Sequence, residues 1–163
     1  LMSMTSFSDW LYATQFSTAL RETTWVIPNL QTIHIIAIAV VIGSAIATEL
    51  RMAGIFATDR PLPDVLHRYL PWMKWALVVL LLTGALLVIA EPGRTLNNTL
   101  FWIKMALVAG ASLVTLRARR SLVLATAGGS SAITVPEASR GLSWLMLLVW
   151  CAIIFCGRFI AYA

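Results

Sequence analysis

Four stretches of this chain, roughly Trp25–Leu50, Leu70–Ala90, Leu100–Leu116 and Leu142–Tyr162, approach the ~20 mostly apolar residues that a helix needs to cross the hydrocarbon of a bilayer. Nothing else in the sequence constrains the fold as strongly. In lipid a backbone must satisfy its own hydrogen bonds, so four such windows joined by short connections predict four antiparallel helices packed as one bundle. The composition agrees: of 163 residues, 60% are hydrophobic and 12% charged, and the mean hydropathy of +0.85 excludes an ordinary soluble domain. The expected fold class is therefore all-α, a single integral membrane four-helix bundle over residues 1–163.

A net charge of +5 and a pI near 9.9 would suggest nucleic acid in a soluble protein, but the arginines here sort by membrane face. The segment from Arg51 to Arg68 carries Arg51, Arg60 and Arg68, and the segment from Arg117 to Arg140 carries Arg117, Arg119, Arg120 and Arg140. On the other face lie Arg21 and Arg94, with Arg158 just inside the last window. The positive-inside rule then predicts a multi-pass membrane protein with both termini outside and both arginine-rich segments cytoplasmic. No nucleic-acid partner is expected.

Ahead of the first span, "SFSDWLYATQFSTALRE" has loosely helical apolar spacing with Ser8 placed to cap it. It predicts one short interfacial helix over about 8–21, with Trp10 and Tyr12 at the headgroup level. Pro28 falls in the first turn of the first span and Pro71 near the start of the second, positions that tolerate proline. Cys151 and Cys156 both lie in the fourth span, five residues and about 140° apart on one helix, so they are not expected to pair.

Ionisable groups inside a membrane helix are costly and by default point to function. His34 is the deepest of them, about 13 Å below Trp25 at the helical rise. Antiparallel threading brings Lys104, Met105 and Arg158 to the same depth, while Glu49, Arg51, His67 and Lys74 gather at the opposite end. On the first span Ala39, Gly43 and Ala47 form a small-residue ladder suited to close helix packing. Gln31, His34, Val41, Ala45 and Glu49 fall on a separate, more polar side. In the fourth span Trp144, Cys151 and Arg158 recur every seven residues, with Leu148, Phe155 and Tyr162 between them, and predict a seam ending in a cation.

Each of these residues also has a plain structural reading. His34 could simply bond a neighbouring group; Lys74, Lys104 and Arg158 could snorkel to the headgroups; Glu49 could pair with Arg51 at the helix end. The functional reading makes His34 an axial ligand of a non-covalent haem b, with Lys104 and Arg158 holding its propionates and Met105 the nearest sixth ligand. That predicts a small cytochrome b-like protein moving electrons between quinone, or a larger membrane redox complex, and an acceptor. At most it would be an electron-transfer or oxidoreductase subunit. The alternative is a cofactor-free accessory subunit of a larger membrane complex, or an oligomer, assembled through Ala39, Gly43 and Ala47.

Several motifs resemble those of a known group. "LQTIHIIAIAVVIGSAIATELRMAG", "YLPWMKWALVVLLLTGALLVIAEP", "LFWIKMALV" and the ending "GRFIAY" resemble a bacterial family of four-helix inner-membrane proteins of unknown function. The matching positions are His34, Glu49 with Arg51, Thr83 with Gly84, Lys104, and Gly157 to Tyr162. Glu49 stands where an aspartate is expected, and "RMAG" where "RLLG" is. The histidine of the first span and the lysine of the third are also distantly similar to CopD-type copper-resistance proteins and HemJ-type protoporphyrinogen oxidases, a resemblance that implies a haem-associated bundle.

Overall fold

The computed structural model describes residues 4–127 and 137–160. Within the helices, the side chains of residues 118, 120–127, 137–139, 158 and 160 lie outside the described set, and so does Tyr162. The described residues contain seven helices and no strand. They are α1 Met4–Tyr12, α2 Gln15–Glu22, α3 Val26–Met52, α4 Leu62–Ala90, α5 Pro92–Leu96, α6 Thr99–Ala127 and α7 Glu137–Ile160. Four of these, α3, α4, α6 and α7, are long and apolar enough to cross a membrane. The all-α bundle read from the sequence is the fold, and the protein is a multi-pass membrane protein.

Packing closes the four long helices into a ring. Neighbours in sequence lie side by side, α3 on α4, α4 on α6 and α6 on α7, and α7 returns to α3. The central core comprises Val41 and Ala45 of α3, Met73, Ala76 and Leu77 of α4, Ala111 of α6, and Trp150 and Ile153 of α7. Only 22–28% of each apolar window is buried within the chain, because a bilayer solvates the outward residues as well as a core would and leaves packing to the inward stripe.

Several boundaries differ from the sequence reading. The interfacial segment is two helices rather than one. The break falls at Thr14, whose side chain caps α2 by accepting from Ser17 N at 3.3 Å. Ser8, read as a cap, lies within α1, buried, its hydroxyl donating to Thr5 O at 2.8 Å. The second long helix begins at Leu62 instead of near Leu70. Pro63 and Asp64 suit its first turn, and Leu62 and Leu66 pack on Met52 in a second core cluster. Asp64, His67 and Arg68 had diluted the hydropathy there while the helical spacing continued beneath them. Pro71 consequently lies inside α4, nine residues from its start. The outer turn after α4 folds as α5. The third long helix continues past Leu116 to Ala127, and the fourth starts at Glu137.

At the arginine-rich end α3 stops at Gly54, whose φ of +81° is the left-handed value glycine adopts freely. Ile55 N then bonds Leu50 O at 3.0 Å, and Arg51 Nη2 donates to Arg60 O at 2.8 Å across the turn. At the opposite end Ser17 Oγ donates to Ile89 O at 2.7 Å, tying α2 to the last turn of α4. The Arg21 guanidinium stacks over the Tyr12 ring, 3.5 Å from its centroid, joining α2 to α1.

Candidate functional site

Two polar sites sit inside the bundle, one toward each end. The first is built around His34. Thr83 lies 49 residues away on α4, and its Oγ1 stands 2.7 Å from His34 Nδ1. The same oxygen is 2.7 Å from Val79 O, an ordinary back-bond of a helical threonine. A hydroxyl has one proton; with that proton on the Val79 carbonyl, we assign the hydrogen bond to His34 as Nδ1–H donating to Thr83. Nε2 then carries the free lone pair.

Gly84 completes the seat. A Cβ built there would stand 3.3 Å from His34 Cε1 and 4.0 Å from Nδ1, so the imidazole packs directly over the backbone of α4. Lys104 of α6 is half-buried and within electrostatic reach of the imidazole. Its ammonium lies over Gly157 of α7, 3.3 Å from where a Cβ would be, and within reach of Cys156. Thus all four long helices contribute to one cluster: the histidine, a hydroxyl with a glycine, a lysine, and a second glycine beside a thiol. Cys156 is free, as is the exposed Cys151.

The structure thus places Lys104 within electrostatic range of His34, with no hydrogen bond between the two. Met105, the next residue on α6, is 36% exposed. The backbone of Arg158 continues α7 beside Gly157, and its side chain is outside the described residues. His67 is exposed near the opposite end of the bundle.

The second site corrects the expectation for Glu49. Its partner is Arg119 of α6, 70 residues away, whose Nη2 donates to Glu49 Oε2 and also to Ser143 Oγ of α7 at 3.0 Å. Thr115 Oγ1 donates to Glu49 Oε1 at 3.4 Å. Glu49, Thr115 and Ser143 are 0% exposed and Arg119 is 2% exposed. Arg51, the partner expected from the sequence, bonds the carbonyl of Arg60 instead. Arg119 is therefore an interior residue and leaves the count of arginines marking one membrane face. A signal for it was present: Ser112, Thr115 and Arg119 share one helical face, a polar stripe that a solvated loop would not need.

Two further readings of the helix faces change. The buried stripe of α3 is Val41, Ala45, Thr48 and Glu49, on the side of His34, while Ala39 and Gly43 are exposed. The side expected to be polar is the packing face, and the small-residue ladder looks outward. On α7 the expected seam of Trp144, Leu148, Cys151 and Phe155 is exposed, and Ser143, Met146, Trp150 and Ile153 face the core.

The sequence profile of a family of unknown function, DUF6644, matches residues 13–163. The chain belongs to DUF6644. No curated protein and no solved structure matches it. The DUF6644 match takes in α2 through α7 and hence both polar sites, His34 with Thr83 and Lys104, and Glu49 with Arg119.

Proposed function

We propose that this DUF6644 protein is a membrane-embedded carrier of haem b that passes single electrons within a membrane redox system, with His34 as its axial ligand. The observation that carries the reading is the 2.7 Å contact between His34 Nδ1 and Thr83 Oγ1. A histidine that ligates through one nitrogen is commonly oriented by a hydrogen bond at the other, which fixes its tautomer. Thr83 is placed for that orienting bond and Gly84 keeps the ring against α4.

The donor set fits the group. Lys104 supplies a cation within electrostatic range of the imidazole, suited to a propionate. Arg158, on the turn that carries Gly157, is the second candidate cation, and Met105 is the candidate sixth ligand. No CxxCH is present, so the haem would be held without a covalent link. Bound haem supplies the one-electron chemistry. The chain's own residues orient the ligating imidazole, balance the propionate charge and keep water away. The distant similarity of the histidine and lysine to those of CopD-type and HemJ-type proteins favours the same assignment, with quinone or a larger oxidoreductase as donor.

The test is an absorption spectrum of purified protein, made with ample haem, in oxidised and dithionite-reduced forms. A Soret band that shifts on reduction is expected at about one haem per chain, and His34→Ala removes it while the helical content stays. A normal haem spectrum in His34→Ala overturns the ligand assignment. A flat visible spectrum in the parent protein overturns the reading as a whole and leaves a cofactor-free accessory subunit.

A further inference from the structure

The surface between α3 and α4 is hollow on the side facing away from the bundle core. A Cβ added at Gly43 would meet nothing within 4 Å. Gly43, Ser44 and Ala47 form one wall of an open groove of about 650 Å³, and Arg68, Tyr69 and Trp72 of α4 form the other. The groove lies on α3 and α4, two helices long and apolar enough to cross a membrane.

Its chemistry is graded along its length. Arg68, seven residues into α4 and nearest the arginine-rich end, is exposed and makes no hydrogen bond or ion pair among the described residues. Ser44 is only 6% exposed. Its carbonyl accepts from Thr48, but its hydroxyl has no partner among the described residues and lines the groove. Beyond it, away from the arginine-rich end, Gly43 and Val40 continue the lining without a polar side chain. Tyr69, held edge-on by Phe56 with ring centroids 6.5 Å apart, and Trp72, 66% exposed, edge the groove as aromatic side chains do at a bilayer interface.

We propose that this groove is a binding site for one anionic phospholipid. The phosphate pairs with the Arg68 guanidinium, an ester carbonyl accepts the Ser44 hydroxyl proton, and an acyl chain lies in the notch over Gly43 toward the bilayer centre. The order along the groove, cation then hydroxyl then apolar notch, is the order of those parts in the lipid. A second copy of the chain fits less well. An isologous contact across Gly43 sets the two Arg68 side chains at the same end of one interface, and among the described residues no carboxylate lines the groove to separate them. The site is independent of the haem reading, since it shares no residue with the His34 cluster.

Native mass spectrometry of the delipidated chain in mild detergent tests this, with phosphatidylglycerol and phosphatidylcholine of identical acyl chains as probes. One phosphatidylglycerol per chain is expected to be retained, about five- to tenfold in preference to phosphatidylcholine, in line with one basic contact at a membrane surface. Arg68→Gln brings the two lipids to equal retention, and Gly43→Leu, which fills the notch, lowers the retention of both. Ala47→Leu serves the same purpose if Gly43→Leu does not fold. Inorganic phosphate at millimolar concentration leaves the lipid in place. Equal retention of the two lipids by the parent chain overturns the proposal, as does an undiminished preference in Arg68→Gln. Displacement by phosphate would assign Arg68 to a free anion, and a parent dimer that Gly43→Leu turns into a monomer would assign the groove to a second copy.

Discussion

Thr83 Oγ1 stands 2.7 Å from both His34 Nδ1 and the carbonyl oxygen of Val79, so one hydroxyl anchors the imidazole of α3 to the backbone of α4. This contact decides which ring nitrogen is free. Thr83→Val removes the acceptor and leaves Nδ1–H unsatisfied, at a cost of about 1–3 kcal/mol. If His34 binds haem, occupancy also falls by about 10- to 100-fold, the usual effect of losing a partner that orients a ligand. Thr83→Ser should restore both. Thermal unfolding in detergent and haem titration are the measurements, and a Thr83→Val protein matching the parent in both would refute the anchoring role.

Gly84 and Gly157 make a controlled comparison. An added Cβ would stand 3.3 Å from His34 Cε1 in one case and 3.3 Å from Lys104 Nζ in the other. The distances are equal, but the neighbours are not. The imidazole is fixed by Thr83, whereas the end of a lysine can swing aside. Gly84→Ala should therefore destabilise the bundle or shift the haem spectrum despite the gain of about 1 kcal/mol in helix propensity. Gly157→Ala should leave stability within about 1 kcal/mol of the parent or raise it. Parallel melting curves of the two variants check this, and the reverse ranking would mean that His34 is not held in place.

The Glu49–Arg119 pair should show the asymmetry of a buried ion pair. Arg119→Met leaves a carboxylate in the interior and should cost about 3–5 kcal/mol. Replacing both partners, Glu49→Leu with Arg119→Met, should recover most of that loss, because the desolvated charge is gone with its partner. Unfolding in mixed micelles of the two single variants and the double variant gives the cycle. A double variant whose loss equals the sum of the single ones would mean the two residues act independently.

Ser17 fastens the amphipathic N-terminal pair to the bundle through Ile89 O. Ser17→Ala removes a buried hydrogen bond worth about 1 kcal/mol. The expected readout is local: faster proteolysis in the α1–α2 segment with little change in overall melting. Unchanged cleavage would show that the packing of α1 on α5 and of α2 on α3 and α4 suffices to hold the pair.

The spans were legible in the sequence because length and hydropathy are linear properties, and the depth shared by His34 and Lys104 followed from the helical rise alone. Which way each helix faces was much less legible. In water the apolar stripe identifies the inside, but on α3 and α7 both faces are apolar, and the exposed stripes of Leu148 and Phe155 look as core-like as Trp150 and Ile153. The small-residue ladder reads as a packing face because Gly43 permits close approach, yet permission does not say that a neighbour comes. Arg119 was missed for a related reason. Hydropathy assigns an arginine to a loop, and only its partner on another helix, far away in sequence, makes it an interior residue. Thr83 and Gly84 were visible as a motif, but their role required the fold to bring α3 beside α4.

The separation of Glu49 from Arg119 also sets a timetable for biogenesis. The carboxylate is made 70 residues before the guanidinium that neutralises it. At about 5–20 residues per second, the ribosome leaves α3 waiting on the order of 4–14 s for its counterion. Through that interval Glu49 must be protonated, hydrated at the membrane edge or sheltered by the insertion machinery. Lateral release of α3 into lipid as a finished charged helix before α6 emerges would strand the charge. The pair thus favours a nascent chain that holds its early helices near the translocation channel and releases α3 and α6 together.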